Sequence, residues 1–301
     1  KPDWLTISNS NSNSLSFDGV DDEVIIENNL NVSNQLTISA WINYEEGGTQ
    51  LPRVISNDYN SCDGYEMITT GTENLRRILF HFNCSAGASG WVDGVTEIES
   101  NTWNYISLVH DGTQAIIYIN GEIDAINESP AQLGSNVSRN PIFAQRGDGL
   151  CRYKGNIDQT AIWNRALSQS EIQSYMSTPP TGSESGLVGY WNFNENTGST
   201  LTDLSGNGNN GTINGATWST DVPPPPMVSS VQITGTSGFR ILSSPVSGNI
   251  YSDLLDELWT QGMTGSDDPN HGGANVWTWS SGSWQALTDL DNDTYTAGAG
   301  I

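Results

Sequence analysis

Several short stretches of the chain alternate apolar and polar residues, which is the pattern of strands in a half-buried sheet. In "LTISAWINY" (Leu36–Tyr44), alternate residues from Leu36 onward are apolar, and Thr37 and Ser39 fall on the opposite face. Similar stretches follow at Arg76–Phe82, Trp103–Asp111 and Gln114–Ile126. Turn residues separate them, such as the hairpin dipeptide Asn120-Gly121. The sequence therefore predicts an all-β protein built as an antiparallel sandwich.

One short helix interrupts the strand pattern. In "LSQSEIQSYMSTPP", Ser168 and Glu171 have the spacing of a capping box, in which each side chain bonds the other residue's backbone. Pro179 and Pro180 end the helix, because proline cannot continue the hydrogen-bond ladder. We expect about three turns that cover an edge of the sandwich.

A run of four prolines, Pro223–Pro226, divides the chain and predicts a stiff polyproline linker at 223–226. The segment before it, 1–222, contains the strand patterns described above. The segment after it, 227–301, has further strand-like stretches rich in tryptophan, but no closing strands are evident. We interpret 227–301 as a truncated, β-rich second domain.

The charge balance restricts the partners. The chain has 34 acidic and 10 basic residues among 301, a formal net charge of -24. Nucleic-acid backbones and anionic membranes attract basic surfaces, so both are excluded, and divalent cations become natural partners. No stretch of 18 apolar residues suggests a membrane span, and no Cys-x-x-Cys pair suggests a zinc site.

Four motifs resemble a known family when taken in order. They are "LSFDGVDDEV", "LTISAWI", "WNYISLVHDG" with "IYINGE", and "YKGNIDQTAIWNRALSQSEI", together spanning Ser14–Met176. They resemble the laminin-G-like, concanavalin-A-type domains of secreted bacterial proteins. The resemblance implies a jelly-roll β-sandwich that binds carbohydrate or protein and often carries calcium.

Two further segments extend the comparison. "LVGYWNF" and "DLSGNGNNGTINGATW" resemble a motif that usually precedes "FDGVDD" in the family, but here they follow the helix, within Gly186–Trp218. This segment is either a permuted strand pair of the same sandwich, which we favour, or the start of a degenerate second one. "GFRILSSPVSG" and "YSDLLDELWTQG" resemble a C-terminal module of Bacteroidetes proteins exported by type IX secretion, which implies a secreted or cell-surface multidomain protein.

The acidic turn in "SLSFDGVDDEVII" is a candidate calcium site. Calcium prefers six to eight oxygen ligands, and a turn from Asp18 through Gly19 to Asp21 supplies carboxylates and carbonyls. The family resemblance implies that Asp158 closes the ligand shell, because the family pairs these two strands near one edge of the sandwich. The alternative is that Asp18 caps a β-turn and Asp158 pairs with Arg165. Calcium is thus the expected cofactor, in a structural role.

The acids of "GEIDAINE" look like a glycosidase signature but fit it poorly. Retaining glycosidases place two carboxylates about 5 Å apart, and Glu122 and Asp124 would share a strand face. However, Glu128 lies one residue too far from Asp124 for the family 16 spacing, and Glu122 follows directly on a hairpin turn. No nucleophile motif accompanies the scattered histidines. We therefore predict that the protein is not an enzyme.

Aromatic residues near polar loops are candidates for binding a sugar. Tyr59 and Tyr65 flank the polar stretch that contains Asp63, and Trp91 lies in a loop-rich segment. Aromatic faces and polar side chains together suit sugar stacking with hydrogen bonding, while ordinary loop packing is the alternative reading. We expect Tyr59, Asp63, Tyr65 and Trp91 to form the ligand site.

The three cysteines suggest one disulfide. Cys62 and Cys84 flank two strand patterns that would pair, so we predict that they are bonded and that Cys151 is free or buried. The function that unites these expectations is a secreted or cell-surface module that binds an extracellular glycan or a surface protein, acts in adhesion and is stabilised by calcium. The alternatives are an accessory domain of a polysaccharide-degrading enzyme and a structural spacer or secreted cargo segment.

Overall fold

The structure is a computed structural model that describes residues 12–30, 32, 34–47, 49–57, 64–71, 75–133 and 139–224, without the side chains of residues 84 and 85. It also describes the backbone of residues 277–280 and 283–286. The chain divides into two compact units, one formed by Ser8–Met227 and the other by Lys1–Ile7 with Val228–Ile301.

The larger unit consists of short strands and one α-helix within the described residues. In chain order these are β1 (Ser14–Asp18), β2 (Glu23–Ile26), β3 (Leu36–Tyr44), β4 (Arg53–Ser56), β5 (Glu66–Gly71), β6 (Leu75–His81), β7 (Trp91–Asp93), β8 (Ile98–Glu99), β9 (Asn104–His110), β10 (Ala115–Ile119), β11 (Glu122–Asn127), β12 (Ile142–Phe143), β13 (Lys154–Trp163), α1 (Gln169–Ser177), β14 (Leu187–Trp191), β15 (Thr200–Leu201), β16 (Gly211–Asn214) and β17 (Thr217–Ser219). Two short 3₁₀ turns, separated by a kink at Gly87, lie within Cys84–Gly90.

Two antiparallel sheets form a sandwich. The first has the order β11-β10-β9-β3-β13-β1-β17, with β14 also on β13, and the second has the order β15-β16-β2-β12-β4-β5-β6-β7, with β8 on β6. Consecutive strands are often not neighbours, as where β13 lies between β3 and β1. The prediction of an all-β, antiparallel jelly-roll sandwich with one short helix is confirmed.

The main core lies between the two sheets. Phe17 and Ile42 of the first sheet meet Val24, Met67 and Phe80 of the second, and each is at most 1% exposed. Side chains alternate between the two faces of a strand, so the neighbours of these residues point away from this core. Those outward residues determine the chemical character of each outer face of the sandwich.

A second apolar cluster fills the outer face of the first sheet, where α1 covers it. Ile172 of α1 belongs to this cluster with Tyr105 and Trp163, and the ring of Trp163 stacks on that of Tyr175 at 5.5 Å. The predicted capping box begins α1, since the Ser168 side chain accepts the Glu171 N–H and the Glu171 carboxylate accepts the Ser168 N–H. The helix therefore lies over a sheet face, not over an edge as expected.

The segment 186–218 supplies strands to both sheets. β14 pairs with β13 and β17 pairs with β1 in the first sheet, while β16 pairs with β2 in the second. The Gly-rich loop between β15 and β16 is anchored by Asp203, which accepts the N–H groups of Tyr190, Ser205 and Asn209 at 2.8–3.1 Å. These hydrogen bonds join the loop to β14, so the loop has a structural role.

The smaller unit contains one described hairpin. Trp277–Ser280 and Ser283–Ala286 pair as antiparallel strands. The rest of the predicted second domain at 227–301, including the stretches that resemble a type IX secretion module, lies outside the described residues. Among the helices that the structure describes, none has the length and apolar character needed to cross a membrane.

Candidate functional site

The acidic turn after β1 brings three carboxylates together. Asp18 Oδ1 accepts the Val20 N–H at 2.7 Å, and Asp22 Oδ2 accepts the Asp18 N–H at 2.8 Å. Gly19 has a φ of 77°, which glycine adopts without the strain of a side chain. One carboxylate oxygen from each of Asp18, Asp21 and Asp22 lies within 4.8 Å of the others.

The electrostatics of this turn are compatible with a bound cation. Burial raises the pKa of Asp22, and the charges of Asp18 and Asp21 raise it further against the lowering effect of the Asp18 N–H. A cation between the three carboxylates would relieve this repulsion, and oxygen ligands are those that calcium prefers. The donor set therefore fits calcium, with Asp22 in addition to the predicted Asp18 and Asp21.

Asp158 does not join this turn, which corrects the predicted ligand set. Asp18 pairs with Lys154, four residues before Asp158 along β13, or about 13 Å in an extended strand. Asp158 is fully buried, and its Oδ1 accepts the N–H of Gln159 at 2.7 Å. Gln159 has a φ of 43° at a β-bulge in β13, so Asp158 stabilises the bulge.

The acids of the glycosidase-like motif are dispersed into structural roles. Glu122 accepts hydrogen bonds from Gln169 and Gln173 of α1 at 3.2 and 3.1 Å. Asp124 accepts the N–H groups of Val95 and Thr96 at 3.0 and 2.9 Å. Glu128 bonds to the side chain of Gln114. The ladder between β10 and β11 shifts register beside Asp124, so these carboxylates do not converge on one cleft.

Two of the predicted ligand-binding residues can be located. Tyr65 is 1% exposed and belongs to the main core, so its ring cannot stack on a sugar, and this prediction is wrong. Trp91 is half-buried at the start of β7. Tyr59, Asp63 and Cys62, as well as the Cys84 side chain, lie outside the described residues, so the ligand role of the first two and the disulfide stay predictions. Cys151 is half-buried and unbonded.

Trp91 lies at the end of a row of otherwise polar side chains that crosses the second sheet. Ser56 of β4 lies opposite Glu66 of β5, which lies opposite His81 of β6, which in turn lies opposite Trp91. Core residues such as Phe80 alternate with this row, so the row faces away from the core. We call these residues, with Arg53, the Glu66 cluster.

Glu66 is the centre of this cluster. Arg53 donates to both carboxylate oxygens at 3.0 and 3.1 Å, and the Ser56 hydroxyl donates at 2.8 Å. His81 Nδ1 lies 3.4 Å from Glu66 Oε2, and its ring lies 5.7 Å from that of Trp91. Burial by itself would raise the pKa of Glu66, but the contacts with His81, Arg53 and Ser56 outweigh it and lower the pKa to about 2. Glu66 is therefore ionised.

The loops beside the cluster are polar and strained. Arg146, whose charge interacts with that of Glu66, pairs with Asp148 at 2.6 Å. Leu51, Ala144 and Cys151 have φ values of 52°, 69° and 58°, a region that costs residues other than glycine about 1–2 kcal/mol each. The same conformation occurs elsewhere in the described part of the sandwich, as at Gln159 and Phe193, so the candidate site rests on the Glu66 cluster and Trp91.

Sequence reasoning missed Arg53 and Glu66 and took His81 for an ordinary strand residue. A signal was present, because each directly adjoins apolar residues of a strand, in "RVIS", "EMITT" and "LFHF". A charged residue inside such a strand requires a partner, since an unpaired buried charge is strongly unfavourable. The sequence does not give the register that identifies the partner.

The sequence comparisons agree with the sandwich described above. A model of the concanavalin A-like lectin/glucanases superfamily matches residues 4–173. Among curated proteins, none matches the sequence.

The sandwich also resembles solved structures to different degrees. A proposed carbohydrate-binding protein from Bacteroides ovatus aligns with a TM-score of 0.56 at 17% identity, over 70% of this chain and 61% of that one. This chain thus spans about three fifths of that protein's length. A pentraxin from Limulus polyphemus gives a TM-score of 0.46 at 16% identity, over 56% and 83% of the two chains. Domain 4 of an arabinanase from Geobacillus stearothermophilus, in complex with arabinotriose, gives 0.42 at 19% identity, over 54% and 75%.

Proposed function

The chain belongs to the concanavalin A-like lectin/glucanases superfamily, and we propose that it is a non-catalytic module that binds glycans at the Glu66 cluster. The observation that carries the proposal is the half-buried Trp91 ring beside His81, which in turn contacts a buried carboxylate paired with Arg53. Sugars are bound by an aromatic face together with a few fixed polar groups, and this row provides both.

Two further observations support glycan binding. The Bacteroides ovatus protein that shares this fold is itself a proposed carbohydrate-binding protein. The acids that resembled a glycosidase site are engaged in separate structural contacts, which favours binding over hydrolysis. We place the module outside the cell, secreted or at the cell surface, where it acts in adhesion as part of a larger protein.

Substitution of Trp91 tests the proposal. We expect Trp91→Ala to weaken binding of glycans that the wild type retains on a glycan array by about tenfold or more, since an aromatic contact contributes about 1 kcal/mol beyond its buried area. Trp103→Ala is the matched control, because Trp103 is half-buried on the other sheet, where its indole donates to Asp221 at 2.9 Å. Equal binding by wild type and the Trp91 variant, with unchanged melting curves, would contradict the proposal.

We also propose that one calcium ion binds the turn formed by Asp18, Gly19, Asp21 and Asp22, in a structural role. The crowded carboxylates and the raised pKa of Asp22 support it. A ligand that binds only the folded state at a hundredfold excess over its dissociation constant stabilises it by about 2.7 kcal/mol.

Chelation tests the calcium proposal. EDTA should lower the melting temperature of the wild type and calcium should restore it. Asp21→Asn should abolish this response, whereas Asp93→Asn, which changes an exposed acid elsewhere on the sandwich, should keep it. If EDTA leaves the wild-type melting curve where it was, the acids form only a solvated turn.

A further inference from the structure

The orientation of His81 places one of its ring nitrogens towards Glu66. Glu66 is ionised, so it only accepts hydrogen bonds, and His81 Nδ1 lies 3.4 Å from its Oε2. The nitrogen that faces a carboxylate carries the proton, which makes Nε2 of a neutral imidazole the acceptor. The side chain is 20% exposed, so a ligand can approach it.

His110 has the opposite arrangement and provides an internal comparison. Its Nδ1 accepts the N–H of Gly112 at 3.2 Å, so its Nε2 carries the proton and donates to the Ala131 carbonyl at 2.9 Å. His110 is fully buried and its two nitrogens are satisfied within the protein. His81, by contrast, has one nitrogen towards Glu66, and its Nε2 makes no hydrogen bond to the other described residues.

The charges around His81 favour a neutral ligand. In the described part of this face, Arg53 is paired with Glu66 and Arg146 with Asp148. Arg77 is exposed on the same face of β6 but lies four residues from His81, or about 13 Å. Arg53 and Arg146 therefore already have carboxylate partners and offer little to an acidic sugar at Trp91, on a chain with a net charge of -24.

We propose that His81 orients the ligand of the Glu66 cluster, and that its Nε2 accepts a hydrogen bond from a hydroxyl group of a neutral sugar that packs against Trp91. The Glu66 carboxylate keeps the imidazole proton of His81 on Nδ1, and Arg53 holds that carboxylate in place. Nε2 is therefore a hydrogen-bond acceptor before the ligand binds. This inference rests on the proposed function of glycan binding.

Nitrogen-15 NMR of the labelled protein tests the tautomer without any ligand. At neutral pH, we expect His81 to carry its proton on Nδ1 and His110 to carry its proton on Nε2, with the His81 signals identified by their loss in His81→Asn. A proton on Nε2 of His81, or on both of its nitrogens, would overturn the inference.

A glycan array that pairs neutral oligosaccharides with their uronate-containing counterparts tests the ligand. We expect the wild type to retain neutral members, and His81→Asn to bind them about 3- to 10-fold more weakly, the effect of one hydrogen bond. Asparagine retains a donor towards Glu66 but lacks the outer acceptor, whereas His81→Gln extends an acceptor to the Nε2 position and should retain more affinity.

The outcomes separate the two proposals. A preference for acidic glycans, or wild-type affinity in His81→Asn, would overturn the role of His81 and leave glycan binding intact. If the wild type retains no glycan, the proposed function fails, and the hydroxyl acceptor role fails with it, whatever tautomer NMR finds.

Discussion

Glu66 keeps its charge in a buried position because three residues of the two neighbouring strands face it. Arg53 and Ser56 come from β4 and His81 from β6, and together they supply hydrogen bonds to both carboxylate oxygens. Removing one partner from such a pair leaves an uncompensated buried charge, which is strongly unfavourable. Loss of Arg53 should therefore destabilise the folded protein.

The lowered pKa of Glu66 predicts acid sensitivity. Its pKa is about 2 in the folded state against 4.5 as its ordinary value, so its contribution to stability is present above pH 4.5 and is lost as the pH falls towards 2. The shift corresponds to about 3 kcal/mol of unfolding free energy. Urea unfolding between pH 5 and pH 2 should show this loss.

Glu66→Gln provides the control for acid sensitivity. The variant should be less stable at pH 7, because Arg53 loses its buried carboxylate partner, but its stability should fall less steeply between pH 5 and pH 2. Glu171→Gln, which changes a more exposed carboxylate paired with Arg165, should keep most of the wild-type pH dependence. Equal slopes in wild type and Glu66→Gln would show that other acids control the transition.

At the scale of strands and helices, the local residue pattern predicted the strands and the helix, but not which other elements pack against them. The alternation of apolar and polar residues identifies β3. Thr37 and Ser39 on its polar side are nevertheless buried, because the segment around α1 covers that face of the strand. The sequence does not give the register of β1 on β13, which places Asp18 opposite Lys154 and so separates Asp158 from the acidic turn. Burial of Tyr65 likewise depends on the opposite sheet, so sequence alone could not place these side chains.

The hairpin of β5 and β6 bears on the predicted disulfide. Glu66 pairs with His81, so Cys62 precedes one end of this pair by four residues and Cys84 follows the other by three. Closing a loop of about 20 residues in an oxidising compartment contributes roughly 3 kcal/mol. We expect mass spectrometry of non-reduced peptides to find Cys62 bonded to Cys84, with reduction lowering the melting temperature. A peptide that joins Cys151 to either cysteine would contradict the assignment.

At the scale of the whole molecule, a net charge of -24 makes self-repulsion a general destabilising force. Salt screens it, since the Debye length falls from about 30 Å at 0.01 M to about 3 Å at 1 M. We expect the melting temperature to rise steadily with sodium chloride, and calcium chloride at equal ionic strength to raise it further through the Asp18 turn. Asp21→Asn should keep the sodium response and lose the additional calcium response. A melting temperature that does not change with sodium chloride would show that the acids are too well dispersed for their repulsion to matter.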